Sequence, residues 1–512
     1  MKNLPAFSLA VLLATLCLAP SVLAEGPAST PAPAPARKPN VIVILADDLG
    51  YGDTGCYGAK PKHVLTPQID RLAKEGIRFT DGHSSSSVCT PSRYSLLTGE
   101  YAFRNQKVWG VLPADAALGI RPGSCTLPEM FRANGYATGF VGKWHLGLGD
   151  GGVDWNGEIK PGPMEVGFTS AFYMPATGDR VPTVFVRDRR VENLDPADPI
   201  RVSYKEKVGD EPTGQANPGK ATVLLGIRNH AKTITEGVSR IGWMSGGKAA
   251  RWQDDKLMDR LADEAVAFIT ANQDKPFFLY YATHGIHEPR VPAKRFVGKS
   301  GAGVYGDQIE ELDDSVGRVL KTLDDLKLAG DTLIVFTSDN GGSPKQSLPI
   351  GDMIAYRYGA RSRLNGHDAN GVLRGGKYDA YEGGTRVPFI VRWTGHAPAE
   401  TVSPALVSQT DLQASFARLL GVELPDDAAP DSMDVLDALT GKATVGRHEL
   451  VEHKHGPGVA LRIDDWKFFN GQLYDLSTDL SEKHNLAQAH PDRAKAMAAR
   501  LAELSAAKKT RQ

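Results

Sequence analysis

Asn40-Val41-Ile42-Val43-Ile44-Leu45-Ala46-Asp47-Asp48 joins six consecutive apolar residues, four of them β-branched, to two adjacent carboxylates. An apolar run with no polar alternation reads as a strand buried on both faces, the pattern of a parallel sheet covered by helices. Four runs of the same kind follow at 138–142 (TGFVG), 276–282 (PFFLYYA), 332–338 (TLIVFTS) and 387–393 (VPFIVRW), and all five are expected to be parallel strands. Helical patterns lie between them. Thr66-Pro67 makes a cap and first turn before Ile69, Leu72 and Ala73, and Thr126-Leu127-Pro128-Glu129 reads as a capping box whose helix closes at Gly135. Leu257, Leu261, Ala265 and Phe268 form one apolar stripe, and Ile309, Leu312, Val316, Val319 and Leu323 another. Strands alternating with helices predict an α/β fold, a large and mostly parallel sheet sandwiched by helices.

In such sheets ligands bind beyond the carboxyl ends of the strands. Asp47-Asp48 leaves the first run, Lys143 and His145 the second, His284 and His287 the third, and Asp339-Asn340 the fourth. Four sets of chemically capable side chains at four strand exits converge on one site, which exceeds what turn chemistry alone supplies. Asp47, Asp48, Asp339 and Asn340 offer hard oxygen ligands suited to Ca²⁺ or Mg²⁺. Adjacent carboxylates repel unless a cation lies between them.

Composition sets the outer bounds. The chain has 512 residues, 41% hydrophobic and 23% charged, with 59 basic and 60 acidic side chains and a net charge of -1. Disordered, collagenous and disulfide-dense classes are excluded. No global positive field exists to hold nucleic acid or an anionic membrane, so an anion must be bound locally. Lys2, the apolar stretch 7–19 and Val22-Leu23-Ala24 read as an export signal over 1–24, too short to span a bilayer. Residues 25–39 are a Pro/Ala-rich tether, and folded structure is expected from Asn40. The expected location is periplasmic or secreted, with no membrane span after signal cleavage. Cys17 leaves with the signal. The remaining Cys56, Cys89 and Cys125 are odd in number, so at least one stays outside an intramolecular bridge.

Cys89 lies in Ser84-Ser85-Ser86-Ser87-Val88-Cys89-Thr90-Pro91-Ser92-Arg93, with Gly99 placed to end a helix that begins at Cys89 or Thr90. The positive end of that helix, with Arg93 one turn on, is expected to lower a thiol pKa, making Cys89 a nucleophile or the precursor of one. A buried cap cysteine is the plainer alternative.

Cys89-Thr90-Pro91-Ser92-Arg93 with Leu97-Thr98-Gly99 resembles the signature of the formylglycine-dependent (type I) sulfatases, arylsulfatase-like members of the alkaline phosphatase superfamily. Asn40 to Gly50, Gly142-Lys143-Trp144-His145-Leu146-Gly147, Ser338-Asp339-Asn340-Gly341, and Leu373 to Lys377 with Glu382 to Pro388 resemble further motifs of that family, all in family order. The resemblance implies an alkaline-phosphatase-like fold, a catalytic domain over 40–440 and a smaller C-terminal α+β subdomain over 441–512. It implies that Cys89 is converted to formylglycine by a formylglycine-generating or maturase enzyme. Its hydrate then attacks the sulfur of a sulfate ester, beside Ca²⁺ (or Mg²⁺) held by Asp47, Asp48, Asp339 and Asn340 together with residue 89. Arg93 and Lys143 would fix the diol, Lys143 and Lys377 would offset charge on the sulfuryl oxygens, His287 would protonate the leaving oxygen and His145 would deprotonate the second hydroxyl. His284 is the alternative acid.

Asp179, Arg180 and His367 are the expected substrate contacts, and Trp243 and Trp252 are candidates for stacking on a sugar ring. The polar stretch 150–253 reads as a decorated loop or substrate wall. Glu382 and Arg386 are expected to be a structural pair, and His453 and His455 to approach the cleft. A sulfated carbohydrate is the expected substrate. Two alternatives stay open: a phosphonate or phosphodiester hydrolase with more histidine among its metal ligands, and a silent glycan-binding homologue with Cys89 unmodified.

Overall fold

The computed structural model describes Met1 and residues 38–226, 228–343, 354–356 and 364–511. The expected export signal and nearly all of the tether lie outside the described residues. Among those described, ten strands form one sheet: β1 (Asn40–Ala46), β2 (Ile77–Phe79), β3 (Ala137–Lys143), β4 (Ser170–Met174), β5 (Val186–Arg187), β6 (Arg190–Val191), β7 (Phe277–Ala282), β8 (Thr332–Ser338), β9 (Phe389–Arg392) and β10 (Thr401–Ser403). Their spatial order is β10-β2-β9-β8-β1-β7-β3-β4-β5-β6.

The five central strands, β8, β1, β7, β3 and β4, are parallel, with Ala46 beside Ser338, Leu45 beside Ala282 and Ala282 beside Gly142. This register brings four strand ends level at one edge of the sheet. The fifth expected parallel strand is a correction: β9 runs antiparallel to β8. A parallel neighbour needs a crossover connection to return the chain to the opposite edge. Between β8 and β9 the described residues hold one helical turn, Glu382–Thr385, and no crossover helix, so the chain re-enters from the edge where it left. A buried apolar run carries no signal of direction.

Alternate residues of β1 enter two cores. Val41, Val43 and Leu45 pack with helices α2 (Cys89–Thr98) and α3 (Leu127–Ala133), while Ile42, Ile44 and Ala46 pack on the face covered by α1 (Pro67–Lys74), α4 (Leu257–Ala271) and α5 (Gly303–Asp325). Thr126 Oγ1 accepts the Glu129 backbone N–H at 3.2 Å, but the Glu129 carboxylate is taken by Arg132, so only half of the expected capping box forms.

Beyond the main sheet, β11 (Glu449–His453), β12 (Val459–Ile463), β13 (Trp466–Phe469) and β14 (Gln472–Asp475) form an antiparallel sheet in chain order. The helix Pro491–Ala506 closes it through Met497 and Leu504 against Leu450, Leu461 and Leu473. Residues 150–253 fold into two- to five-residue strands and short 3-10 turns. No helix among the described residues is long and apolar enough to cross a membrane.

Candidate active site

The ends of β1, β7 and β8 are tied together by backbone bonds before any side chain is considered. Asp47 N–H donates to Gly285 O (2.8 Å), Ile286 N–H to Asp47 O (2.6 Å) and Asp339 N–H to Ala46 O (3.0 Å). Cys89 is the first residue of α2, after Val88 in extended backbone, and Gly99 in the left-handed region ends the helix as expected. Thr90 Oγ1 donates to His145 O at 2.8 Å, pinning the helix start to the loop after β3.

Three buried acids meet three buried cations at this edge. Lys143 Nζ lies 2.8 and 2.7 Å from the two oxygens of Asp47. Lys377 Nζ donates to Asp48 at 2.8 Å. Arg93 donates from Nε (2.9 Å) and Nη2 (2.7 Å) to Oδ2 of Asp339, whose Oδ1 accepts the Asp48 backbone N–H at 3.1 Å. Asn340 Nδ2 donates to Asp48 Oδ1 at 2.8 Å, which leaves Asn340 Oδ1 buried with no hydrogen-bond partner. Cys89 Sγ is 3.9 Å from Asp47 Oδ1, and ligand atoms of Asp47, Asp48, Cys89 and His287 all lie within 4.8 Å of one another. The fold therefore gathers Asp47, Asp48, Cys89, Arg93, Lys143, His287, Asp339, Asn340 and Lys377 into one cluster.

Burial pushes the Asp47 carboxyl up to about 7 despite the opposing charge of Lys143. At Asp339 burial acts the same way but Arg93 and Lys143 outweigh it, holding that carboxyl below the usual range. An acid raised by burial, an orphaned amide oxygen and a donor set of hard oxygens fit a divalent cation bound among Asp47, Asp48, Asp339 and Asn340.

The expected lowering of the Cys89 thiol is not found. Burial drives it up to about 12 against the pull of Lys143 and Lys377. The helix dipole acts on a group that has lost its water, and desolvation of a thiolate is the larger effect. As a thiol, residue 89 is a poor nucleophile.

Burial holds His145, His284 and His287 below the ordinary histidine pKa, and carbonyl partners fix the tautomers of His145 and His287, since a carbonyl only accepts. His145 Nε2 donates to Leu112 O (2.9 Å), so its buried, unpartnered Nδ1 carries a free lone pair. His287 Nδ1 donates to Glu288 O (2.6 Å) and its Nε2 stands 3.8 Å from Asp48 Oδ2. Burial, then Lys377 and Lys143, hold His287 well below the ordinary histidine pKa. Burial, then Lys143, does the same to His145. His284, the alternative acid, is buried 6.1 Å from the His287 ring, and burial lowers it to about 3.

Arg180 donates to Thr177 Oγ1 (2.7 Å) and to Asp179 Oδ1 (3.2 Å), and its charge reaches His145. Asp179 Oδ2 lies 3.5 Å from His230 Nδ1. His367 bonds elsewhere: its Nε2 is 2.7 Å from Asp53 Oδ1, and Asp53 Oδ2 accepts Gly50 N–H and Tyr305 Oη–H, each at 2.7 Å. His367 thus braces the loop after β1. Trp252 is a correction, being buried against Phe185 at 5.5 Å between ring centroids, while Trp243 carries Lys232 over its ring. Glu382 and Arg386 pair at 2.7 Å as expected. His453 is buried on Gly456 O (2.6 Å), and the exposed His455 faces Tyr378. Cys56, Cys89 and Cys125 are all free of disulfides. Sequence reasoning passed over His230 and Tyr378. His230 ends the 3-10 turn Arg228–His230 and Tyr378 lies in a tight turn, neither with a periodic pattern, and only adjacency to Lys377 marks Tyr378.

Fold and site together define an α/β protein with a buried cluster of acids and cations at the carboxyl edge of a parallel sheet and a cysteine at a helix start within it. The chain belongs to the sulfatase family: residues 39–422 match the Sulfatase family model. It is 46% identical over 496 residues to an N-acetylgalactosamine-6-O-sulfatase of Bacteroides thetaiotaomicron, covering 93% of this chain and 94% of that protein. It is 36% identical to the steryl-sulfatase of Mus musculus, over 87% of this chain and 71% of that protein. A solved protein from the metabolism of multiple glycosaminoglycans by Bacteroides thetaiotaomicron superimposes with a TM-score of 0.87 at 45% identity, covering 92% of this chain and all of that one. The chain is a sulfatase of alkaline-phosphatase-like fold.

Proposed function

We propose that this enzyme is exported and removes O-sulfate groups from a sulfated carbohydrate, with residue 89 converted to formylglycine by a maturase and Ca²⁺ (or Mg²⁺) held by Asp47, Asp48, Asp339 and Asn340. The observation that carries the reading is Cys89, inert as a thiol, held 3.9 Å from Asp47 in the acid and lysine cluster. The likeness to an N-acetylgalactosamine-6-O-sulfatase makes N-acetylgalactosamine 6-sulfate the first candidate substrate.

The cation, when bound, supplies positive charge that favours an oxygen nucleophile and polarises the sulfate. Hydrated formylglycine offers two hydroxyls on one carbon, one to attack sulfur and one from which the ester can collapse. Lys143 and Lys377 face the charge that gathers on the sulfuryl oxygens. His287, anchored through Nδ1, delivers a proton from Nε2 to the departing sugar oxygen. Burial first, and then Lys377 and Lys143, hold that ring below the ordinary histidine pKa, and the incoming sulfate offsets the two lysine charges. His145 Nδ1, the free lone pair, takes the proton of the second hydroxyl. A phosphonate hydrolase with histidine-rich metal ligands has less support, since among the described residues His287 is the one histidine in the cluster.

The test is sulfate release from a panel of sulfated mono- and oligosaccharides by the native enzyme and by Cys89→Ala. Turnover of sulfated sugars that the variant lacks is expected. Native protein that turns over none of the panel, or a variant that keeps substantial turnover, refutes the reading.

A further inference from the structure

Tyr378 directly follows Lys377 in a turn closed by Asp379 N–H donating to Gly376 O at 2.9 Å. It occupies the third position with φ +77°, where such a turn ordinarily takes Gly or Asn. A bulky residue there is strained, and strain of this kind marks functional positions. The strain is not offset by core packing, because Tyr378 is 41% exposed whereas Lys377 is only 7% exposed. Its backbone is nonetheless fixed, with the N–H donating to Ser87 O (2.9 Å), two residues before Cys89.

The ring lies at the mouth of the site. Lys377 Nζ is 5.6 Å from the ring centroid, and the phenol is within electrostatic reach of Asp48, Cys89 and Arg180. On one side His455 meets it edge-on, with centroids 5.9 Å apart and planes at 73°. His455 comes from the hairpin between β11 and β12, and that hairpin docks on the main domain through Gly456 N–H to Trp109 O at 3.1 Å. Gly110 passes so close that an added Cβ would lie 3.2 Å from His455 Nε2.

We infer that Tyr378, flanked by His455 of the C-terminal subdomain, is the specificity-determining platform on which the C–H face of the substrate's pyranose ring packs. The inference rests on the carbohydrate reading above. Lys377 points inward to the anion site and Tyr378 outward, which matches a ligand whose charged group is deep and whose ring is at the rim. A half-exposed aromatic face beside polar groups is the usual recognition element for such a ring.

The experiment compares native enzyme with Tyr378→Ala, Tyr378→Phe, Tyr378→Gly and His455→Ala, using N-acetylgalactosamine 6-sulfate as substrate and inorganic sulfate as a competitive inhibitor. Tyr378→Ala should raise the KM for the sugar about 10-fold, and His455→Ala about threefold, while the Ki of inorganic sulfate stays within about twofold. Tyr378→Phe keeps the ring and should restore the native KM. Tyr378→Gly should lose sugar affinity while melting at a higher temperature, because glycine relieves the turn; a merely structural tyrosine would give the opposite shift. An unchanged sugar KM in Tyr378→Ala, or a sugar KM and sulfate Ki that rise together, overturns the inference alone. A native enzyme that does not desulfate the sugar overturns the carbohydrate reading and this inference with it.

Discussion

Lys377 sets its ammonium 2.8 Å from both carboxylate oxygens of Asp48, a residue 329 positions earlier at the end of β1. Both groups are buried, so each is the other's main compensation for lost water. In the proposed mechanism, removing the ammonium strips positive charge from the place where negative charge gathers on the sulfuryl oxygens. Lys377→Ala should lower kcat about 10²–10³-fold, the usual cost of one preorganised donor at a developing anion. Steady-state sulfate release measures it, and activity within tenfold of native would remove Lys377 from the anion site.

A second buried ionic group joins the C-terminal sheet to the helical turn Glu382–Thr385 that precedes β9. Lys467 Nζ on β13 lies 2.8 Å from Glu382, 2.9 Å from Glu452 and 3.6 Å from Glu482, all fully buried. The strand bearing Glu452 also braces the segment before Cys89, with Ser87 N–H donating to His453 O at 2.9 Å. Lys467→Met leaves these acids without their shared cation and should cost about 3–5 kcal/mol, as breaking buried pairs does. Urea unfolding reports the loss, and a change below about 1 kcal/mol would show the acids rearranging at little cost.

Four of the five central strands, β8, β1, β7 and β3, were legible because each is a mainly apolar run ending in groups that do not belong in a core, whereas β4 (Ser170–Met174), a short strand inside the polar stretch 150–253, was not. Asp47-Asp48 and Asp339-Asn340 stand out against Val41–Ala46 and Thr332–Ser338 for that reason. The direction of β9 was not legible, since burial on both faces gives the same pattern either way. The Cys89 thiol was misjudged because a helix-end argument counts the dipole and omits the desolvation imposed by the packing around α2. His367 lies beside the Lys377 motif in sequence, yet its partner is Asp53, and no local pattern announces a bond across 314 residues.

Glu311 gives the fold a pH dependence separate from catalysis. Its Oε1 accepts Ala293 N–H at 3.1 Å, its Oε2 is buried without a hydrogen-bond partner, and burial pushes its pKa from 4.5 up to about 8. The folded state therefore holds a proton that the unfolded chain releases near pH 4.5. Stability from this group is fully present below that pH and is lost as pH rises through about 8. Glu311→Gln should flatten the fall in Tm between pH 5 and 8 and stabilise the protein at the upper end by on the order of a few kcal/mol. Parallel Tm-versus-pH curves for the two proteins would show that Glu311 does not titrate in the fold.

The raised thiol at position 89 separates converted from unconverted chains by reactivity as well as by mass. With burial holding Cys89 at about 12, almost no thiolate exists at pH 8, and alkylation requires thiolate and access together. Folded chains that keep the cysteine should resist iodoacetamide at residue 89 and react there only after denaturation. Converted chains should never react at that residue, and their peptide should be lighter by the difference between a thiol-bearing methylene and an aldehyde. Sulfate release should then rise in proportion to the converted fraction across preparations. Rapid alkylation of Cys89 in the folded protein would mean that solvent reaches the start of α2, and turnover independent of the converted fraction would place the nucleophile on another residue.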